Sequence, residues 1–187
     1  MAMDLFWRHG FEGTSVAMLT EAMGVTPPTL YAAFGSKNAL YRKALGHYLL
    51  VAREEHGRVL REAPSARSAV EAYLRFAADH YADPGSPPGC MIGNAALQCG
   101  QDAATARAVV MELRTSLFRM FVARVEQGRL DGELAPDVDA RALARFYGAV
   151  VQGMSAQAAS GATAGMLNDV VEIAMRAWPA ETTPDAT

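Results

Sequence analysis

Apolar residues along this chain recur three and four positions apart, and no stretch alternates cleanly at period two. That is the spacing of helices with one buried face, so the chain is predicted to be all-α. The pattern is sharpest in "GTSVAMLTEAMGVTPPTLYAAFGSK", residues 13–37. Thr14 or Ser15 can cap a helix whose apolar stripe is Val16, Leu19 and Met23. Gly24 suits the left-handed residue that ends it, and Val25 is expected to point inward and pin the angle to the next helix. Thr26 is an N-cap, and Pro27 stands at the first helical position, where a missing N–H costs little. Leu30 and Phe34 face inward, which leaves Pro28, Thr29, Tyr31, Ala32 and Ala33 outside. Gly35 ends this helix and Ser36 can cap the next.

Two helices joined by so tight a turn make either a helix-turn-helix or an ordinary αα-corner, and the pattern alone fits both. The second helix is short and its outer face is small. A helix with both properties can enter the ~12 Å major groove of DNA without clashing.

Residues 36–61 read as one long helix with Leu40, Ala44, Tyr48 and Val51 on its apolar side. Pro64 and Ser65 interrupt the pattern, and residues 66–81 form a further helix. ADPGSPPG, residues 82–89, is a loop by its breakers, and CMIGNAALQCG, residues 90–100, is a short helix. Residues 103–127 are apolar nearly all round, so this helix is expected to run through the centre of the body. GRLDGELAP, residues 128–136, is a turn. Asp139 caps a helix carrying Leu143, Phe146, Tyr147, Val150, Val151 and Met154. A last helix carries Leu167, Val170, Val171, Ala174, Met175 and Trp178, and the tail 179–187 is expected to be disordered.

The last two helices are poor in charge: between Phe146 and Val171 the only charged side chain is Asp169. Two such helices cannot both be covered by one small body, so a homodimer is expected. The residues assigned to its interface are Gly148, Val151, Gln152, Gly153, Val171 and Met175.

Hydrophobic residues make up 51% of the chain and the net charge is −3, so any nucleic-acid contact must come from a local patch. No apolar run reaches the ~20 residues that span a bilayer, and the start shows no secretory signal, so a cytoplasmic protein without membrane partners is expected. Cys90 and Cys99 are too few for a disulfide scaffold and sit on opposite faces of one predicted helix. Cys90 reads either as a small buried hydrophobe or as a thiol lowered by a helix N-terminus. His9, His47, His56 and His80 are scattered and make no metal motif, and no nucleotide-binding or nucleophile-elbow motif is present. No enzyme activity, metal or cofactor is therefore expected.

The segments "GFEGTSV" and "MGVTPPTLYAAFGSKNALY", and more weakly "GRLDGELAPDVDARALARFYG", resemble the TetR family of bacterial transcriptional regulators. The strong match covers about the first quarter of the chain. The resemblance implies an N-terminal helix-turn-helix head (1–47) and a C-terminal helical body for effector binding and dimerisation (48–178). It implies that Thr14 and Ser15 hold a phosphate, and that Thr26, Pro28, Thr29, Ala32 and Ala33 lie in or near the groove. Tyr31 and Lys37 would bind the DNA backbone, and the last two helices would form a four-helix dimer interface. Ala33 stands where many members carry a histidine, and the first helix is shorter than usual in the family, as if the native start lay upstream.

In the body, Tyr73, Phe76 and His80 share one helical stripe, and Cys90, Asn94 and Gln98 share another. Facing each other, and joined by Phe118 and Tyr147, they would line a pocket for a small, mostly apolar effector. The expected function is an effector-responsive repressor that binds a palindromic double-stranded operator as a homodimer. The rival is a thiol- or small-molecule-sensing helical protein with weak or lost DNA binding.

Overall fold

The computed structural model describes residues 1–98 and 104–179, save the side chains of residues 53, 96–98, 104–107, 109, 110 and 113. Cys99 and the predicted tail beyond Pro179 lie outside the described residues. Within them the elements are α1 (Ala2–Gly13), α2 (Val16–Met23), α3 (Pro27–Phe34), α4 (Lys37–Glu62) and α5 (Ala66–Tyr81). They continue as α6 (Met91–Gln98), α7 (Ala104–Leu130), α8 (Ala140–Ala159) and α9 (Ala164–Met175), and no strand occurs among the described residues. No helix there is long and apolar enough to cross a membrane.

Side-chain caps fix most helix starts. Ser15, Thr26, Ser36, Ser65, Asp139 and Thr163 each accept a backbone N–H two or three residues ahead, at 2.9–3.5 Å. Each cap of this kind contributes about 1 kcal/mol. Gly24 closes α2 with φ 66°, a conformation that a Cβ makes costly, and its N–H returns to Glu21 and Thr20.

The head gathers α1, α2, α3 and the start of α4 around Phe6, Leu19, Leu30 and Tyr41, all essentially buried. The rings of Phe6 and Phe11 lie 4.9 and 5.1 Å from that of Tyr41. α4 runs unbroken through residue 47, so the predicted boundary falls inside one helix. Tyr41 packs with the head on one side of that point, while Tyr48 meets Trp7 of α1 and Cys90 of the body on the other.

In the body the sequence expectation needs correction. α5, and not α7, runs through the centre: Ala66, Ala69, Val70, Leu74, Ala77 and Ala78 are all fully buried, and α5 packs against α4, α7, α8 and α9. The described side chains of α7 leave Met111 63% exposed and bury only Phe121 and Val125 deeply. Apolar residues all round a helix can be covered by a cavity or a rim as well as by a core. α5 reads as less apolar, but its alanines let four neighbours come close.

His56 of α4 is buried, with Nδ1 3.1 Å from the Tyr73 hydroxyl and its ring edge-on to Phe76. Burial, and then the charge of His80, lower its pKa to about 4. The unfolded chain therefore binds this proton from pH ~6.5 downward while the folded chain refuses it until about 4, so stability falls as pH drops through that window. Urea unfolding should show about 2 kcal/mol less stability from this group at pH ~5 than at pH ~7.5. His56→Gln should lack that component; an equal pH slope in the two proteins would reject it.

Candidate nucleic-acid interface and effector cavity

The α2–α3 corner presents α3 outward by its two ends. At its start Thr26 and Thr29 share a 2.9 Å hydroxyl–hydroxyl hydrogen bond, with Pro27 and Pro28 completing the first turn. Leu30 anchors the inner side at 1% exposure. Pro28, Thr29, Ala32 and Ala33 are exposed, and Tyr31 is 44% exposed, so the structure leaves free the face that the pattern leaves outside. Lys37, in the first turn of α4, holds its Nζ 4.4 Å from the centroid of the Phe11 ring. Lys43 stands over Phe34 at 5.3 Å, a cation at the foot of α3 with no motif to announce it.

Thr14 does not fit the role that the resemblance gives it. Its side chain is fully buried, and its hydroxyl donates to the carbonyls of Gly10 (2.7 Å) and Leu5 (3.2 Å). It fastens the end of α1 to the start of α2 and has no free donor for a phosphate. Ser15 is exposed, with its Oγ accepting the Met18 N–H.

The body holds a cavity of about 720 Å³, open to solvent on one side and within the usual ~300–1,000 Å³ of small-molecule sites. Tyr73 and Tyr81 of α5 form one wall, Ile92 and Asn94 of α6 another, and Phe118 and Phe121 of α7 a third. The fourth wall is α8, through Ala144, Gly148, Val151, Gln152, Gly153 and Ser155. Cys90 sits where these walls meet. Its N–H donates to Ser155 Oγ at 2.8 Å, and its Sγ accepts the Tyr48 hydroxyl at 3.4 Å. Gly89 makes that approach possible: its φ is 76°, and a Cβ there would stand 2.7 Å from the Ser155 carbonyl oxygen. Burial, and then Cys90, push the Tyr48, Tyr73 and Tyr81 phenols up, so all three present O–H groups beside Cys90.

Of the residues predicted to line the pocket, Tyr73, Cys90, Asn94 and Phe118 do so. The Gln98 side chain lies outside the described residues. Phe76 and His80 do not reach the cavity: their rings stack at 5.7 Å and face α4 and α1, through His56 and Trp7. α5 is turned so that Tyr81, one helical position past His80, completes the wall. Tyr147 is core, fully buried, and its hydroxyl donates to the Ala174 carbonyl. Tyr81, Leu117 and Phe121 were hidden in the sequence because a cavity wall and a core face share one periodicity.

The expected dimer residues are also redistributed. Val171 and Met175 are buried within the chain, on the stripe of α9 facing its neighbours. Gly148, Val151 and Gln152 line the cavity. Gly153 is exposed at its rim, with open space where a Cβ would go. On these two helices the apolar surface left uncovered lies about half a turn from Val171 and Met175 on α9, where Met166 and Ile173 are 56% and 60% exposed, and on the stripe of α8 that holds Gly153, where Phe146 is 42% exposed.

Residues 1–44 match the family described as bacterial regulatory proteins, tetR family, and residues 65–164 match the tetracyclin repressor-like C-terminal domain. The chain is similar to the HTH-type transcriptional repressor ComR of Escherichia coli, 32% identical over 95% of this chain and 85% of that protein. It is 36% identical to the repressor BdcR of the same organism over 49% of this chain and 46% of that one. Among solved structures, a cysteine-substituted form of the TetR family transcriptional regulator CifR, complexed with 26-base-pair operator DNA, superposes with a TM-score of 0.91. That protein is 44% identical, and the match covers 95% of this chain and 93% of that one. Helix-turn-helix head, central α5 and walled cavity thus come with matching sequence in both halves, and the chain belongs to the TetR family of bacterial transcriptional regulators.

Proposed function

We propose that this regulator is a homodimeric repressor that holds α3 of each copy in the major groove of a palindromic operator and lets go when a small molecule fills the cavity. The observation that carries the reading is the position of α6. It supplies one cavity wall and packs against α1 of the head as well as α4, α7 and α8. A ligand that favours one placement of α6 therefore favours one placement of the head. Two recognition helices fit one duplex only near ~34–36 Å apart, so a small change in head placement breaks the fit.

In this arrangement Thr29, Ala32 and Ala33 read bases, while Thr26 and Pro28 sit beside the groove. They offer methyl groups and one hydroxyl and no bidentate donor. Readout then leans on thymine methyls and DNA shape, at about 1–3 kcal/mol per changed base pair. Tyr31, Lys37 and Ser15 contact the backbone and set the register. The relatives named as repressors and the operator-bound neighbour support this reading.

A salt-dependent shift assay on the DNA upstream of the chain's own gene tests it. Lys37→Ala should weaken operator and random DNA about equally and lower the salt slope by ~1. An unchanged slope would remove Lys37 from the interface, and no sequence preference in operator selection would remove α3 from the groove.

The exposed apolar face of Phe146, Met166 and Ile173 is the proposed dimer contact. Ile173→Glu should yield monomer by light scattering, with the helical signal retained because the side chain is exposed in the single chain. Operator binding should fall with it. A dimer that survives the charge would move the interface elsewhere.

A further inference from the structure

The cavity has an electrostatic character that its apolar lining conceals. Two arginines, Arg114 and Arg145, stand on its wall, and among the described residues no aspartate or glutamate does. A smaller adjoining hollow shares Thr115 and Phe118 with it and adds Arg119 and Arg141, again without an acid among the described residues. The guanidinium carbons of Arg141 and Arg145 each lie 5.8 Å from the Phe118 ring centroid. Two cations thus stand over one phenyl ring and two more line the hollows that share it, in a chain whose net charge is −3.

Four arginines elsewhere are answered, while Arg8, Arg42, Arg61, Arg124 and Arg176 are in no ion pair among the described residues. Arg58 pairs with Glu62, Arg67 and Arg75 with Glu71, and Arg129 with Glu126, each three or four residues away on one helix. Among the described residues no ion pair reaches Arg114, Arg119, Arg141 or Arg145. α8 contains no acid at all, and Arg141 and Arg145 are like charges four residues apart, a mildly repulsive spacing. The other polar groups of the wall are largely engaged: Thr115 donates to Met111, Asn94 to Pro88, and Ser155 accepts from Cys90. The groups free to hold a ligand by charge are the guanidinium forks, whose planar geometry matches a carboxylate.

We propose that the effector is an organic carboxylate with an apolar body, its head held by Arg114 and Arg145 at the mouth and its body between Phe121, Tyr73 and Ile92. This rests on the cavity being the effector site. It narrows the small, mostly apolar effector expected from the sequence to an amphipathic anion.

The test uses three probes with one alkyl chain, decanoate, decanol and decylamine, titrated calorimetrically into the full-length dimer. Decanoate should bind at least about tenfold tighter than decanol, as hydrogen bonds to a charged group allow, and decylamine should not bind. Arg114→Gln with Arg145→Gln should bring decanoate to within about twofold of decanol and leave decanol unchanged. Decanol binding as well as decanoate, a preference that survives the double substitution, or no binding of any probe overturns the proposal. So does a double variant that falls to monomer, since the arginines would then be answering a partner subunit's acids. A mobility-shift arm keeps the two readings apart. If decanoate binds with the expected preference but operator DNA stays bound, the anion site stands and the repressor reading fails. If decanol releases the operator and decanoate does not, the reverse holds.

Discussion

Everything in the body depends on how closely its helices can approach α5. Ala66, Ala69, Ala77 and Ala78 give this helix a smooth buried face, so that α4, α7, α8 and α9 can all pack on it. Alanine contributes little buried area per residue, but it sacrifices almost no side-chain entropy and lets backbones come near. The large side chains are then concentrated at Tyr73 and Tyr81, where α5 leaves the core and becomes a cavity wall. A bulkier α5 would push α8 and α9 outward.

The joint between head and body is built from rings and one thiol. Trp7 of α1 meets Tyr48 of α4 edge-on at 4.9 Å, and the Tyr48 hydroxyl reaches Cys90 at the cavity. Trp7 also lies 6.1 Å from His80, which stacks on Phe76 and so reaches buried His56. Packed rings with specific edge-to-face geometry do not deform continuously. The head therefore has few ways to sit on the body, which a switch between DNA-bound and released forms requires.

The cavity shows how the same residues answer two demands. Its aromatic walls would serve as core if α7 and α8 closed together. Arg114 and Arg145 on facing helices keep a polar mouth there, and small α8 residues such as Gly148 and Gly153 leave room. The charge is visible only once these side chains are assembled: in sequence order the arginines are spread over α7 and α8, and the overall balance is acidic.

The linear pattern was sufficient for the helices, their caps and the tight α2–α3 corner, because those depend on neighbours within a turn or two. Ser15, Thr26, Ser36 and Asp139 cap where their positions imply, and Leu30 points inward as its spacing from Phe34 requires. Periodicity could not say which partner covers an apolar stripe. Core, cavity wall and subunit interface all need apolar residues at the same spacing. Tyr147, Val171 and Met175 therefore proved to be core, Val151 cavity wall, and Ile173 open surface. The hydroxyl of Thr14 was likewise settled by carbonyls that only folding brings near. Sequence by itself determined the local elements and the family. The rotation of each helix about its own axis, and hence what every stripe faces, was decided by the tertiary packing around α5, because that rotation minimises exposed apolar area over the whole body at once.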